Sequence, residues 1–190
     1  MAFSQRFDEA LVFASELHRE QRRKGSDVPY VAHLLGVAAI AIEHGATEDE
    51  AIAALLHDAV EDQGGAATRE KIRARFGDAV VAIVDGCTDS DVTPKPPWRA
   101  RKERYIAHVR TAPHSVRLVS MSDKVHNVRS VIADYRVLGE EVWKRFRGGG
   151  RDGTLWYYRA LVDVFRESDA SPLALELERV VVELERLTSK

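Results

Sequence analysis

A His-Asp doublet stands at the end of an apolar run of the chain. Residues 53–56 are all alanine or leucine, and His57 and Asp58 follow them directly. Glu61 and Asp62 come three residues later, so polar side chains stand where the pattern has been burying apolar ones. Charged groups near an apolar core cost several kcal/mol unless they are paired or bind a cation. The doublet therefore indicates a buried ion, for which the fold must supply further ligands.

Two more residues of ligand type, His33 and Asp123, lie in separate apolar segments. With His57 and Asp58 they make a set of two imidazoles and two carboxylates that contains no thiolate. Such a mixed set argues against an iron–sulfur cluster or a structural zinc site. It suits Mn²⁺, Fe²⁺ or Zn²⁺ with positions left for water and substrate. We therefore predict one divalent ion per chain, bound by these four residues.

Four of the five histidines outside this set are interpreted differently. A lone histidine on a helix is usually a core or surface residue, and this interpretation is given to His18, His44, His108 and His114. His44 also precedes a glycine at the end of an apolar run, where an imidazole interacts favourably with the helix dipole.

Length and charge exclude several classes of protein. The chain has 190 residues, of which 45% are hydrophobic and 31% charged, values typical of one globular domain with a core of its own. The net charge of −2 provides no field that attracts nucleic acid or anionic lipid. No apolar run reaches the roughly 18 residues that span a bilayer, and the first residues lack an apolar signal core. With one cysteine, Cys87, an internal disulfide is excluded, so we expect a cytoplasmic location.

Apolar residues recur at helical spacing along almost the whole chain, which predicts an all-α fold. The first helix is expected over residues 7–17. Pro29 is expected in the first turn of the second helix, with Ser26 or Asp27 as its cap. Gly45 then marks the end of that helix.

The rest of the chain follows the same helical pattern. Thr47 and Glu50 form a capping box that opens the third helix, which we expect to continue to Gly64. Loops are predicted at residues 89–97 and, as a flexible break, at 148–150, whereas residues 79–84 are either helical or extended. Further helices are predicted at residues 68–76, 101–109, 115–132, 154–165 and 172–188.

The third helix arranges the doublet and the two acids that follow it. At about 3.6 residues per turn, His57 and Glu61 lie on one face, and Asp58 and Asp62 lie on the neighbouring stripe. His57 and Asp58 can bind the ion, while Glu61 and Asp62 stand one turn beyond them. We therefore predict that Glu61 and Asp62 are catalytic rather than ligating.

A short basic loop at residues 21–26 precedes the segment that contains His33. Such a loop is usually solvated surface, but only a few residues separate this one from a predicted ligand. Its Arg23 can bind phosphate in bidentate fashion or stack on a base, and its Lys24 provides a point charge. A metal beside a phosphate-binding loop is typical of metal-assisted phosphoester hydrolysis.

These motifs resemble the HD-domain phosphohydrolases. Among them, they resemble the branch that hydrolyses the alarmone (p)ppGpp, which includes the RelA/SpoT hydrolase domain and the stand-alone small alarmone hydrolases of Mesh1 type. The resemblance implies a single all-α HD domain over residues 1–190, with a core at about 7–165 and a C-terminal helix at about 172–188. It rests on the segments 18–24, 29–33, 53–62, 76–77 and 122–129.

The resemblance also implies an activity and a cofactor. The activity is hydrolysis of guanosine 3′,5′-bis(diphosphate) at the 3′-pyrophosphate, with release of pyrophosphate. The cofactor is Mn²⁺, bound by the four predicted ligands, with Zn²⁺ or Fe²⁺ as alternatives. Glu61 and Asp62 would position and activate the attacking water.

Substrate-binding residues are implied in the same way. Arg23 would contact the guanine base, Lys24 the phosphates and Asn127 the ribose-phosphate region. The aromatic segment at residues 154–158 would line the nucleotide pocket. The pyrophosphate would face one or more of Arg101, Lys102 and Arg104.

Four positions depart from the family pattern. Leu34 stands where the family often has proline, Gln63 where it usually has threonine, and Ser120 and Ser122 where it has lysine and alanine. None of these changes removes a ligand, but they leave the substrate open. The first alternative is a phosphatase of the same fold that acts on NADPH or another nucleotide. The second is a non-catalytic nucleotide sensor, against which the intact acidic pair argues.

Overall fold

The computed structural model of the protein describes residues 3–90, 94–146, 148–168 and 171–189. These residues form ten α-helices and one 3-10 helix, and their only β pairing is an isolated antiparallel bridge between Arg22 and Pro29. The predicted all-α class is confirmed. The 3-10 helix, Gly139–Arg145, was not predicted. The α-helices are α1 (Gln5–Leu17), α2 (Val31–Glu43), α3 (Glu48–Leu56), α4 (Ala59–Asp62), α5 (Gly65–Phe76), α6 (Asp78–Cys87), α7 (Trp98–Thr111), α8 (His114–Leu138), α9 (Gly150–Ser168) and α10 (Pro172–Thr188).

The packing of the chain divides it into two compact units. Unit 1 contains the residues up to 95 together with 113–122, and unit 2 contains residues 96–112 together with those from 123 onward. Unit 1 includes α1 to α6, and unit 2 includes α7, the 3-10 helix, α9 and α10. Helix α8 contributes residues to both units. That the whole chain behaves as one domain stays a prediction.

Helix α3 is the most deeply packed element around the candidate site in unit 1. Its start is the predicted capping box, because the Thr47 side chain accepts from the N–H of Glu50 while Glu50 Oε2 accepts from the N–H of Thr47 at 2.7 Å. Every residue from 50 to 56 is buried, and α3 packs against α1, α2 and α6. His57, which follows α3, therefore enters an apolar surrounding.

The predicted third helix is wrong in its length. Helix α3 ends at Leu56 and α4 begins at Ala59, so His57 and Asp58 lie in a turn between them. The imidazole Nδ1 of His57 lies 2.9 Å from the Ala54 carbonyl oxygen. In an uninterrupted helix that oxygen accepts from the N–H of Asp58. The His57 side chain therefore competes with the helix at the point where it stops.

Two predicted helix starts are also wrong. Pro29 precedes α2, which begins at Val31, because Pro29 takes part in the antiparallel bridge. Helix α5 begins at Gly65 rather than at Thr68. The φ of 106° at Gly64 turns the chain there, a conformation that glycine adopts without strain.

Other boundaries agree with the sequence patterns. Helix α2 ends one residue before His44, and Gly45 has a φ of 85°. Residues 79–84 are helical, within α6. The Ser171 side chain caps α10 by accepting from the N–H of Ala174. Residues 91–93 of the predicted loop lie outside the described residues. Along the part of the chain that the structure describes, no helix is both long enough and apolar enough to cross a membrane.

In unit 2 the predicted flexible break has a packing role. Trp98, the first residue of α7, lies directly against the turn that precedes α9. A Cβ atom added at Gly148 would lie 2.6 Å from the Trp98 ring, and one added at Gly149 would lie 2.7 Å from it. The ring can approach this closely only because both residues lack a side chain.

Candidate functional site

Three predicted ligands lie together in unit 1. Oδ2 of Asp58 lies 3.0 Å from Nε2 of His57 and 3.6 Å from Nε2 of His33. One ligand atom from each of the three residues lies within 4.8 Å of the other two. Both imidazoles are buried, whereas Asp58 is half-buried. Helix α2 and the α3–α4 turn therefore present two imidazoles and a carboxylate to one point.

The orientation of His57 suits a metal ligand. Its Nδ1 faces the Ala54 carbonyl oxygen, which can only accept, so Nδ1 carries the ring proton. Nε2 is then the atom with the lone pair, and it is the atom that faces Asp58. Ligating histidines usually donate their other N–H to a carbonyl or carboxylate in this way. The donor set of the cluster therefore fits a divalent ion.

Tyr30 orients the carboxylate of Asp58. The Tyr30 hydroxyl donates to Asp58 Oδ2 at 2.5 Å. The Tyr30 ring stacks on His18 and meets His33 edge-on, each at 5.3 Å between ring centroids. The hydroxyl supplies the kind of hydrogen bond that supports a ligating carboxylate from outside the ligand set.

A chain of hydrogen-bonded side chains runs from His18 to Asp62. Nδ1 of His18 lies 2.6 Å from Oε1 of Gln21, and Nε2 of Gln21 donates to Oδ2 of Asp62 at 2.8 Å. Nε2 of Gln63 donates to Oε1 of Gln21 at 2.6 Å. Burial lowers the pKa of His18, which keeps its imidazole neutral near neutral pH. His18 is buried, as an ordinary core histidine would be, and it also belongs to the polar surroundings of the site.

The carboxyl of Asp62 is a stronger proton acceptor than an ordinary aspartate. Loss of hydration, followed by the charge of Asp58, raises the pKa of Asp62 to about 6. The hydrogen bond from Gln21 opposes this shift, the charge of Glu61 adds to it, and the charge of Lys95 opposes it. The Asp62 residue is exposed to solvent on one side. Its carboxyl therefore loses hydration to the protein groups around it and not through complete burial. A raised pKa brings a carboxyl closer to the range useful for a general base.

Glu61 has different surroundings from its neighbour in the chain. Its Oε1 lies 2.6 Å from the ammonium of Lys95, and its Oε2 accepts from the N–H of Asp89 at 3.1 Å. Its side chain is 17% exposed. A cation and a backbone donor thus engage both oxygens of Glu61. Two adjacent carboxyls in unlike surroundings can take unlike roles.

The predicted basic loop is closed by backbone hydrogen bonds between its two arms. Gly25, with a φ of 76°, lies at its turn. The guanidinium carbon of Arg23 lies 5.9 Å from the centroid of the Tyr30 ring. Lys24 is exposed next to the turn. The loop therefore brings Arg23 beside the tyrosine that contacts Asp58, and it presents Lys24 to solvent.

Asp123 and Asn127 belong to unit 2. Lys124 Nζ lies 2.5 Å from Oδ2 of Asp123, and the Asn127 amide donates to Oδ1. The carboxylate of Asp123 is largely buried. The amide that was predicted to touch the substrate thus contacts a predicted ligand one helical turn away. The place of Asp123 in the ligand set stays a prediction.

The three basic candidates on α7 differ in their contacts within unit 2. Arg101 Nε donates to a backbone carbonyl at 3.1 Å. The Lys102 ammonium lies 4.8 Å from the centroid of the Tyr157 ring, and Arg104 is exposed. The contact of residues 154–158 with a nucleotide stays a prediction, as does the choice among these three cations.

Sequence reasoning missed four residues of the site: Tyr30, Gln21, Gln63 and Lys95. Tyr30 had a signal, because it stands three residues before a predicted ligand at the start of the same helix. Gln63 directly follows the acidic pair. Lys95 lies 34 residues after Glu61, and no local pattern connects the two.

The sequence is similar to those of known proteins. The profile of the HD domain family matches residues 10–155. The guanosine-3′,5′-bis(diphosphate) 3′-pyrophosphohydrolase MESH1 of Xenopus tropicalis is 37% identical over 155 residues, which cover 74% of this chain and 84% of the relative. The MESH1 protein of Drosophila melanogaster is 32% identical over 180 residues, which cover 93% of each chain.

The fold is also similar to a solved structure. A metazoan ortholog of SpoT that hydrolyses ppGpp and plays a role in starvation responses matches with a TM-score of 0.78 at 29% sequence identity. The match covers 96% of this chain and 97% of that one. The family profile extends from α1 into α9 and includes the turn at which His33, His57 and Asp58 meet. On both grounds, the matched length and the residues gathered at that turn, the chain belongs to the HD-domain family.

Proposed function

We propose that this protein hydrolyses guanosine 3′,5′-bis(diphosphate), ppGpp, and its pentaphosphate form pppGpp at the 3′-pyrophosphate, with release of pyrophosphate. The observation that carries the proposal is the cluster of His33, His57 and Asp58, followed in the next short helix by Glu61 and Asp62. The relatives that match most of the chain are named for this reaction. We place the activity in the cytoplasm, on the basis of the sequence.

The cofactor of the proposed reaction is a divalent ion, which we take to be Mn²⁺. His33, His57 and Asp58 would hold it, with Asp123 as the proposed fourth ligand. The mixed nitrogen and oxygen donors support this choice of ion, and they also suit Fe²⁺ and Zn²⁺. When bound, the ion supplies Lewis acidity toward the 3′-phosphoryl group and the attacking water.

In the proposed mechanism Asp62 accepts the proton of the attacking water. Its Oδ2 accepts a hydrogen bond from Gln21, so the proton goes to Oδ1. The loss of hydration around Asp62, which is the largest cause of its raised pKa, favours this role. Glu61, engaged by Lys95 and by the N–H of Asp89, orients the water instead.

The substrate contacts of the proposal come from the basic loop and from α8. Arg23 contacts the guanine base, a role supported by its position beside the Tyr30 ring. Lys24, which is exposed, contacts the phosphates. Asn127 contacts the ribose-phosphate region from its position beside Asp123.

A direct assay tests the proposal. The purified protein is freed of metal, reloaded with Mn²⁺, Fe²⁺ or Zn²⁺, and offered ppGpp, pppGpp, NADPH and deoxynucleoside triphosphates. We expect pyrophosphate from ppGpp and pppGpp, with a kcat/KM above that for NADPH. The pyrophosphate group is more anionic than the 2′-phosphate of NADPH and gains more from the cations of the loop. A kcat/KM for NADPH equal to or above that for ppGpp would show that ppGpp is not the preferred substrate. Binding without turnover of any of these nucleotides would show that the protein is a sensor.

A further inference from the structure

We infer that Gln21 is a positioning residue for Asp62: its carboxamide holds the Asp62 carboxylate, and His18 and Gln63 fix the orientation of that carboxamide. The inference rests on the proposed function, in which Asp62 accepts the proton of the attacking water. All four residues belong to unit 1.

The orientation of the Gln21 amide follows from its neighbours. An ionised carboxylate can only accept hydrogen bonds, so the group of Gln21 that faces Asp62 Oδ2 at 2.8 Å must be the NH₂. Oε1 then faces away from Asp62, where it meets Nδ1 of His18 and Nε2 of Gln63, both at 2.6 Å. The opposite orientation would set two oxygens against each other. The amide therefore has one favourable orientation, with two donors on its oxygen and the acceptor on its nitrogen.

The same chain of hydrogen bonds sets the tautomer of His18. Because Gln21 presents an oxygen to Nδ1, the ring proton must be on Nδ1. Nε2 of His18 is buried and has no hydrogen-bond partner among the described residues. A proton on Nε2 would leave one buried donor unsatisfied there and set the lone pair of Nδ1 against the Gln21 oxygen, and both effects are unfavourable. The Nδ1–H form satisfies the network.

The network connects a short element to a well-buried one. Helix α4, which ends at Asp62, has only four residues, and so short a helix does not hold its own end in place. His18 caps the C-terminus of α1 and is 2% exposed. Its ring also stacks on Tyr30, whose hydroxyl binds Asp58. Through Gln21, the Asp62 carboxylate is thus tied to the same buried histidine that packs beside the candidate ligands.

Gln63 provides a second donor to the oxygen of the Gln21 carboxamide. It follows Asp62 directly, and its amide returns to the oxygen of Gln21. Asp62 and Gln63 therefore engage opposite ends of one carboxamide from adjacent positions in the chain. Threonine, the residue that the family usually has at this position, is too short to reproduce a terminal amide donor.

Steady-state kinetics of three variants tests the inference. Gln21→Leu removes both polar ends of the carboxamide, and Gln21→Glu places an oxygen against Asp62. We expect kcat for ppGpp to fall about 10- to 100-fold in both, the usual cost of losing a partner that orients a functional group. KM should stay within about twofold and the metal content should be unchanged, because Gln21 is proposed to touch neither substrate nor ion. Gln63→Thr should lower kcat by a smaller factor, since His18 still orients the amide.

Gln5→Glu is the matched control, because Gln5 is an exposed glutamine of α1 in the same unit. It should leave kcat and KM unchanged. A normal kcat in Gln21→Leu, or a loss confined to KM, would overturn the positioning role. Absence of ppGpp turnover in the unaltered protein would instead reject the proposed function, so the two failures are distinguishable.

A spectroscopic measurement tests the network without any turnover. The nitrogen chemical shifts of the imidazoles, assigned to His18 with a His18→Gln variant, report which ring nitrogen carries the proton. We expect Nδ1–H in the unaltered protein and a shift toward Nε2–H in Gln21→Leu. An Nε2–H tautomer in the unaltered protein would contradict the orientation of Gln21, whatever the variants do.

Discussion

One carboxylate oxygen, Oδ2 of Asp58, is where the contacts of the site converge. It accepts from the Tyr30 hydroxyl at 2.5 Å and faces Nε2 of His57 at 3.0 Å. Since the ring proton of His57 is on Nδ1, a lone pair of Nε2 points toward an anionic oxygen. Two electron-rich atoms at this distance repel each other unless a cation or a proton stands between them. The geometry of these residues is therefore that of a cation site.

Replacement of Asp58 by alanine should remove both the bound metal and the activity. The variant removes one of the two carboxylates proposed to balance the charge of the divalent ion. Elemental analysis of the protein after dialysis, together with the ppGpp assay, measures both effects. Asp78→Ala is the control, because Asp78 is an exposed aspartate in the same unit. Full metal occupancy in Asp58→Ala would show that the ion is held elsewhere.

The hydroxyl of Tyr30 should contribute to metal affinity. Tyr30→Phe keeps the ring that stacks on His18 and removes the hydrogen bond to Asp58. We expect metal affinity to fall about 10- to 100-fold, as it does when a hydrogen bond to a ligating group is removed. Competition with a chelator measures the change. Tyr135→Phe, in which a half-buried tyrosine of α8 loses its bond to Glu140, should leave the affinity unchanged. An unchanged metal affinity in Tyr30→Phe would show that the Tyr30 hydroxyl does not support metal binding.

The two adjacent acids should differ in their effect on the reaction. Asp62→Asn should lower kcat by about 10²-fold or more, because it removes the proposed general base. Glu61→Gln should cost less, because Glu61 orients the water without taking its proton. Both variants should keep the metal. Steady-state kinetics and elemental analysis of the two proteins check these expectations. A larger loss of kcat in Glu61→Gln than in Asp62→Asn would show that Glu61, and not Asp62, accepts the proton.

At the scale of helices, the sequence predicted what depends on local chemistry. The capping box at Thr47 and the glycine that ends α2 are read from a few adjacent residues, and both are present. The break after α3 depends on an imidazole that competes for the Ala54 carbonyl, which hydrophobic spacing does not indicate. The start of α2 differs from the predicted one for a similar reason, since Pro29 takes part in a backbone bridge with Arg22.

The same distinction applies to the candidate site. His33, His57 and Asp58 were found because ligand-type residues stand out in apolar segments, and the fold brings them together. The bond between Gln21 and Asp62 joins positions 41 residues apart, and neither residue stands in a pattern that points to the other. Such partners are determined by how the helices pack, so a single sequence does not reveal them.

The contact of Trp98 with the glycine turn before α9 predicts a strong interaction between two positions in unit 2. Gly148→Ala would place a methyl group 2.6 Å from the ring, and overpacking of this kind costs about 1–3 kcal/mol of unfolding free energy. In a Trp98→Ala background the same change should cost much less, because the ring is gone. Urea denaturation of the two single variants and the double variant gives the coupling. Additive effects would mean that the glycine is not required by the ring.

At the scale of the whole molecule, the path of the chain bears on how it unfolds. Each unit is assembled from two separate stretches of sequence, and α8 contributes residues to both. Neither unit therefore corresponds to a continuous piece of chain that could fold by itself. This arrangement predicts one cooperative transition, the behaviour expected of the single domain inferred from the sequence.

The distribution of tryptophan makes that prediction testable. All three tryptophans, Trp98, Trp143 and Trp156, belong to unit 2, so their fluorescence reports that unit, whereas far-ultraviolet circular dichroism reports helices of both. The two signals should give the same urea midpoint. Leu55→Ala, a buried change in α3 of unit 1 worth about 2–5 kcal/mol, should lower the fluorescence midpoint as much as the dichroism midpoint. Val12→Ala, at an exposed position of the same unit, should move neither. If Leu55→Ala lowered the dichroism midpoint alone, the units would unfold independently and the chain would contain two domains.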